Sequence, residues 1–566
     1  MTDARWRLVA HQAAGDTVLV DLDPAGAEQR RHVVADAELT RWVRESSPGL
    51  RWVWNDTAAW YPALLADGVE IERCHDLRLS HAILQLSTLV TDPAELRAAT
   101  AWAAAAPAPA GGDALFDLVD DRERLPDDID EVQAEFDRQR RALESATQPD
   151  RLRLLLAAES AGALLAAELH AAGLPWHRPT HEALLEDLLG PRPAPGTLPR
   201  EAQRLADEVR AALGDPHASL DSQPKLLRAL HRAGIAAQTT NRWELTQYDH
   251  PAIPPLLAYK KLTRLLTANG WTWLDEWAAA GRFRPVYVPG GVVTGRWASS
   301  GGGALQLPRL LRPAVRADPG WVFVVADVAQ LEPRVLAAMS RDTALANAAR
   351  GTDLYAGIVA GGVVTTRQEA KIAVLGAMYG ATTGDSGRLV PALRRAYPRA
   401  MGLVDDAARA GERGEAVTTW LGRTSPGPSE RWRHLQANAS DPEAPANAAE
   451  AARRSARDRG RFTRNFVVQG TAAEWALCWL AELRTRLRTL PPTDSTAAAS
   501  GPVFGRRAHL AFFLHDEIIV HCPERDADAV TEAVRDSAAA AGELLFGGFP
   551  IDFALDLRIS NDAAKS

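Results

Sequence analysis

Residues 321 to 340 read Trp-Val-Phe-Val-Val-Ala-Asp-Val-Ala-Gln-Leu-Glu-Pro-Arg-Val-Leu-Ala-Ala-Met-Ser. The first six are an unbroken apolar run rich in β-branched residues, the pattern of a strand buried on both faces. The run ends at an acid, Asp327. From Leu331 the period changes, and Leu331, Val335, Leu336 and Met339 recur at helical spacing. A carboxylate ending a buried strand is unfavourable unless a cation holds it, so Asp327 calls for a metal ion or a basic partner. A buried strand feeding directly into a helix is a mixed α/β (α+β) pattern.

At 566 residues the chain is long enough for three or four compact units, and 46% hydrophobic content is ordinary for a globular protein. No run of about 18 apolar residues occurs, so no membrane span is expected. The N-terminal Met-Thr-Asp-Ala-Arg-Trp-Arg lacks the charged-then-apolar pattern of a secretory signal. Cys74, Cys478 and Cys522 lie far apart without a Cys-x-x-Cys pair, which argues against a zinc site or disulfides and for a reducing cytoplasm. The formal net charge of −8 speaks against a nucleic-acid binder only as an average, because phosphate contact depends on local patches. Arg453, Arg454, Arg457, Arg459, Arg461 and Arg464 cluster around a single acid, Asp458. On charge alone that run reads as a solvated helix face.

Along the chain, residues 6 to about 95 mix short apolar runs with helical patches, a small α/β unit. Ala103 to Gly112 reads as linker, and the acidic stretch after it as an exposed helix. A helix is expected from Arg151 through Ala172, stopped by Gly173 and Pro175. Helices continue over 199–277. A hairpin-like loop over 287–310 presents an exposed arginine, Arg296. Residues 366–379 form another helix, Ser425 to Ala452 reads as a mobile insertion, and Thr471 with Glu474 forms a capping box that opens a helix. Finally, His509 to Pro523 is two apolar strands around His515-Asp516-Glu517 at a tight turn.

Two buried strands thus each deliver acids to an end, Asp327 from one and Asp516 with Glu517 from the other. Like charges brought together raise each other's pKa unless a divalent cation lies between them. Oxygen-only ligands point to a hard ion, Mg²⁺ or Mn²⁺, completed by substrate phosphates. Two such ions about 3.5–4 Å apart can activate a hydroxyl and stabilise a leaving pyrophosphate. On the helix 366–379, Arg367 and Lys371 share a face that Leu375 and Tyr379 continue. A fork and a point charge on one edge suit triphosphate oxygens. Gly376 and Gly380 leave room beside them for a base pair.

The order of these motifs resembles the family A DNA polymerases, those like bacterial DNA polymerase I. The first motif is Asp327-Val-Ala-Gln-Leu-Glu-Pro-Arg334, the second Arg367-Gln-Glu-Ala-Lys371-Ile-Ala-Val-Leu375-Gly-Ala-Met-Tyr379-Gly380, and the third His515-Asp516-Glu517. Thr294-Gly295-Arg296, Leu305-Gln306, Leu421-Gly422-Arg423, Tyr259-Lys260-Lys261-Leu262 and Arg461…Asn465…Gln469 add landmarks, and the likeness covers about residues 155–566. It implies a right-hand polymerase fold over 151–566, with thumb about 180–290, palm about 290–335 and 461–566, and fingers about 336–460. Before it would come a degenerate RNase H-like 3′–5′ exonuclease domain over 1–100 and a linker with an acidic helix over 101–150.

The same resemblance implies roles. Asp327 and Asp516 would bind two Mg²⁺ ions (or Mn²⁺), helped by the Val328 carbonyl and Glu517. Arg367 and Lys371 would hold the incoming deoxynucleoside triphosphate, Lys371 also protonating pyrophosphate, with Gln330, Glu332, Leu375 and Tyr379 completing the nucleotide site. Glu332 would block the sugar 2′-position and pair with the Tyr379 hydroxyl. Arg296, Gln306, Arg461, Asn465, Gln469 and His515 would contact primer-template DNA, Arg296 and Gln469 through minor-groove acceptors. The arginines of 453–464 then become phosphate contacts. A monomeric, cytoplasmic, nucleoid-associated enzyme of DNA replication or repair is implied. No 5′-nuclease segment precedes this region, so removal of RNA primers is not expected.

Several positions depart from the family pattern. Leu375 stands where an aromatic residue is usual, and Tyr355 at the place of a phosphate-binding histidine, so weaker nucleotide binding is expected. In the N-terminal unit the first strand, Trp6 to His11, lacks an Asp-x-Glu pair, Trp60 replaces a nuclease acid, and Asp21 and Asp23 follow a different strand. A silent nuclease is expected. The rival reading is a non-catalytic DNA-binding scaffold that kept the fold; Asp327, Asp516, Arg367 and Lys371 together speak against it. Glu332 speaks against an RNA polymerase.

Overall fold

The computed structural model describes residues 4–12, 16–47, 49–103, 125–303, 305, 307–380, 384–439 and 447–564. These fall into two compact units, Met1–Gly173 with Pro285–Leu305 and Asp318–Asn561, and Leu174–Arg284 with Gln306–Ala317 and Asp562–Ser566. The expected linker, Ala103 to Gly112, lies outside the described residues beyond its first position, as does Gln306.

The first unit opens with a five-stranded sheet of β1 (Trp6–His11), β2 (Thr17–Leu22), β3 (Glu28–Val34), β4 (Arg51–Trp54) and β5 (Arg73–Asp76), ordered β3-β2-β1-β4-β5. The first three strands pair antiparallel, whereas β4 and β5 run parallel to β1. Leu8, Val18, Val20 and Val53 on one face pack on Ile129, Val132 and Phe136 of the helix Ile129–Glu144. That helix is therefore not the exposed acidic helix expected. It buries even Glu135, whose carboxylate meets His81 and Gln139 at 2.8 and 2.6 Å. Buried polar groups demand such partners. The helix Pro149–Ala172 follows the expected bounds closely, ending at Gly173 with φ 66°.

In the second unit β6 (Leu174–Pro175) pairs with β7 (Arg282–Phe283), and six helices lie between them. Leu205, Val209, Leu226, Leu230 and Leu256 form its core around Tyr259, whose hydroxyl donates to Asp221 at 2.8 Å. A short hairpin of β8 (Val286–Val288) and β9 (Ala298–Gly301) belongs to the first unit.

The sheet that organises the site has the order β11-β12-β10-β13, with β10 Trp321–Val328, β11 His509–Leu514, β12 Glu517–Pro523 and β13 Leu555–Ser560, all antiparallel. Every residue of β12 is buried and β10 is nearly so, as its unbroken apolar run requires. A helix of 42 residues, Ala448–Thr489, packs nearby. Thr471 and Glu474 lie inside it and open no helix: Thr471 donates to the Val467 carbonyl at 2.8 Å, and Glu474 accepts from the Leu421 N–H at 2.9 Å. The capping box is instead at Thr366 and Glu369, ahead of Arg367–Tyr379. In the expected mobile insertion, residues Glu430–Asn438 are helical, and 440–446 lie outside the described residues.

Candidate active site

Antiparallel pairing brings the acids together. Asp327 lies opposite Glu517 on β12 and opposite Asp556 on β13, and the Val328 N–H donates to the Asp516 carbonyl at 2.9 Å. Directly opposed like charges destabilise a sheet, so this edge favours a cation. Asp516 registers the strain: burial, then the charge of Asp327, pushes its carboxyl up to about 6. Its neighbour His515 adopts φ 57°, a strained value for a non-glycine residue at a tight turn. Burial and the Arg296 charge lower the His515 imidazole to about 4, so it is neutral at physiological pH. Among the described residues no group of three or more His, Cys, Asp or Glu side chains is arranged to hold a metal. Two carboxylates and a carbonyl nevertheless fit Mg²⁺, which keeps waters and takes substrate phosphates instead of a full protein cage.

Glu332, on the first turn of the helix Leu331–Ser340, links three elements. Its carboxylate accepts from Arg296 of the β8–β9 hairpin and, at 2.8 Å, from the Tyr379 hydroxyl. Arg296 is thus half-buried in an ion pair and not exposed as the sequence suggested. Gln330, at φ 50° in the turn between β10 and that helix, accepts through its side-chain oxygen from the Leu354 N–H at 3.1 Å. A cavity of about 170 Å³ is lined by Arg296, Gln330, Glu332, Tyr355, Leu375, His515 and Asp516.

Arg367 and Lys371 are exposed on one helix, four residues apart. Arg367 is oriented from two sides: its Nε donates to Asp353 at 2.6 Å, and its guanidinium lies 5.5 Å from the Tyr355 ring centre. Asp353, which also caps the helix Leu354–Ala360, carried no sequence signal because its partner is 14 residues away. Asp556 gave no signal because only the pairing of β13 with β10 sets it opposite Asp327. Gly376 and Gly380 serve packing and chain reversal more than a base pair. A side chain at Gly376 would strike Ser386, and Gly380 ends its helix at φ 74° against Arg461.

Of the remaining expected contacts, Gln469 accepts from the Thr294 hydroxyl at 3.0 Å, a bond that ties the 42-residue helix to the β8–β9 hairpin. Asn465 Oδ1 is buried without a partner. The arginine run divides: Arg453, Arg454, Arg457 and Arg461 are exposed, with Arg461 paired to Asp458. Arg459 and Arg464 turn inward, Arg464 to the Ala377 carbonyl and Asp405.

In the N-terminal sheet, His11 stacks on Trp60 at 4.4 Å, and the Trp60 indole donates to Asn55 at 3.0 Å. Asp21 is held by Arg7 at 2.6 and 2.9 Å, and Asp23 accepts from the Ala27 N–H. Asp76, pushed up to about 6 by burial and then by Asp56, accepts from the Thr57 and Leu79 N–H groups.

Comparison with known proteins bears on this arrangement. The model of DNA polymerase family A matches residues 197–560. DNA polymerase I of Chloroflexus aurantiacus is 28% identical over 59% of this chain and 34% of its own length. The thermostable DNA polymerase I of Thermus thermophilus is 26% identical over 63% of this chain and 43% of its own. The chain thus spans about a third to two-fifths of these relatives. Among solved structures, the POL domain of Pol1 from M. smegmatis, in complex with DNA primer-template and dNTP, superposes with a TM-score of 0.67. That match covers 99% of this chain and 96% of the other at 17% identity, and it shows a shared fold.

Proposed function

The chain belongs to DNA polymerase family A, and from that premise we propose that it is a DNA-directed DNA polymerase adding deoxynucleotides to a primer 3′ end. The observation that carries this reading is the register that sets Asp327 beside the Asp516 turn, next to the cavity closed by Glu332 and Leu375. Asp327, Asp516 and the Val328 carbonyl would hold two Mg²⁺ or Mn²⁺ ions. When bound, the metal supplies an activated 3′-hydroxyl and neutralises charge on the departing pyrophosphate.

The chain's own groups do the rest. Arg367, aimed by Asp353 and Tyr355, grips phosphate oxygens with the guanidinium edge its Nε bond leaves over. Lys371 offers a proton to the leaving pyrophosphate. Glu332, fixed from both sides, sets a negative wall against a 2′-hydroxyl. Gln469 keeps its amide N–H groups for minor-groove acceptors while its oxygen is bound by Thr294. Neutral His515 accompanies the primer end. In this reading the second unit would serve as the thumb, the β10–β13 sheet as the palm, and the helices between β10 and the 42-residue helix, about 336–460, as the fingers.

The N-terminal sheet, ordered 3-2-1-4-5, supports an RNase H-like nuclease domain in which His11 and Trp60 fill the place of the acids. Because Asp21, Asp56 and Asp76 are all committed to arginines or helix caps, this domain is silent as a nuclease. No helix among the described residues is long and apolar enough to cross a membrane. A cytoplasmic place beside DNA follows from the proposed substrates.

The test is extension of a labelled primer on a longer template with four deoxynucleotides and Mg²⁺, beside Asp516→Ala. Extension by the parent protein and none by the variant supports the reading. No extension in Mg²⁺ or Mn²⁺, with duplex binding intact, would make the chain a DNA-binding scaffold.

A further inference from the structure

A second cavity, of about 410 Å³, lies at the other end of β1 from the His11–Trp60 pair, where β1 and β4 begin beneath the second half of helix 129–144. Its walls carry four arginines, Arg5, Arg51, Arg140 and Arg153, against one carboxylate among the described lining residues, Glu144. Arg140 stands 3.9 Å from both Glu144 and Asp137, and Arg153 is paired with the exposed Asp150. Arg5 and Arg51 have no ion pair among the described residues. The Arg51 guanidinium lies 5.4 Å from the Trp6 ring centre, and burial with the like charges of Arg73 and then Arg5 weakens its hold on its proton. The Trp6 indole nitrogen is itself buried with no acceptor. A half-buried arginine facing other arginines is unfavourable, and folds tolerate it where an anion completes the set.

Beside the pocket, Gly26 adopts φ 86° and the Arg140 guanidinium lies against it. Arg140 in turn lies 5.8 Å from the Phe136 ring centre. Phe136, Leu143, Leu154 and Leu156 also line the cavity and supply its apolar surface. The volume falls within the range of small-molecule sites and exceeds what one inorganic anion fills.

We propose that this cavity binds a nucleoside monophosphate, the arginines holding its phosphate and the apolar wall receiving its base. Guanidinium forks match phosphate oxygens, and an aromatic edge beside a cation suits a nucleobase. The site is separate from the polymerase centre and stands whether or not that centre is active.

Isothermal titration calorimetry of the full chain with dAMP, free of DNA and divalent metal, tests it. One saturable site per chain is expected, weakened at least tenfold by Arg51→Met, whose side chain keeps its packing on Trp6, and retained in Arg367→Ala. Primer extension by Arg51→Met should match the parent protein. If Arg51→Met does not fold, Arg140→Met, confirmed folded by its thermal midpoint, must show the same loss. Absence of saturable binding, full affinity in the folded arginine variant, loss of binding in Arg367→Ala, or inorganic phosphate binding as tightly as dAMP would each overturn the proposal.

Discussion

Glu332 is the side chain on which the proposed nucleotide site converges, because Arg296 and Tyr379 reach it from a hairpin and a separate helix. Glu332→Ala is expected to raise ribonucleotide over deoxynucleotide incorporation at least tenfold, read as the ratio of kcat/KM values. Leu375 lines the same cavity without an aromatic face. Leu375→Phe should lower the KM for deoxynucleotides several-fold, and an unchanged KM would show that the ring is not what is missing. Glu474 makes the pH prediction. Burial pushes its carboxyl from 4.5 up to about 7. An acid that holds its proton more tightly when folded stabilises the fold below its unfolded pKa, and that stabilisation is lost as pH rises from about 4.5 to about 7. Glu474→Gln should therefore gain on the parent protein through that window, by up to about 3 kcal/mol, measured by urea unfolding at several pH values. The acids Asp327 and Asp516 were legible in the sequence because each ends an apolar run. Asp353 and Asp556 were not, because their meaning comes from partners that only tertiary pairing supplies.

At the scale of elements, Arg334 holds the strand-to-helix turn in place. Fully buried, it donates to the carbonyls of Ala329, Ala349, Asp552 and Gly351 at 2.6–2.7 Å. Arg334→Met leaves four carbonyls short of a donor, that of Ala349 buried, and should destabilise the protein by about 3–5 kcal/mol, seen as a lower urea midpoint at unchanged m. Elements with a strong local signature were read correctly: β10 from its apolar run, helix 149–172 from its alanine and leucine content and glycine stop. The capping box at Thr471 and Glu474 was misread because both residues bond to a distant loop or to the helix interior. A helix-start pattern says nothing of what a buried side chain meets. Likewise the acids of helix 129–144 suggested exposure, whereas its helically spaced Ile129, Val132 and Phe136 fill a sheet core.

Across the first unit, one buried network joins the N-terminal sheet region to the 42-residue helix. Arg484 contacts Glu168 at 2.6 Å and donates to the Ile71 and Glu72 carbonyls; Tyr61 bonds Glu168 at 2.7 Å, and Arg488 reaches Glu70 at 3.2 Å. Breaking a buried pair by removing one partner strands the other charge. Arg484→Met should therefore split a single cooperative thermal unfolding of this unit into two steps in calorimetry, whereas one sharp transition at the parent midpoint would show the network to be incidental. Nothing in the sequence marked this contact, since Arg484 and Glu168 lie 316 residues apart. The helix Ala448–Thr489 carries Arg484 near one end, Gln469 midway and the exposed arginines near the other. At 1.5 Å and 100° per residue it is a rigid ruler about 63 Å long. Side-chain substitutions along its exposed face leave that spacing alone, but a one-residue insertion between Gln469 and Arg484 would turn one grip by more than a quarter circle relative to the other. Over generations this stretch should accept changes of letter and refuse changes of length.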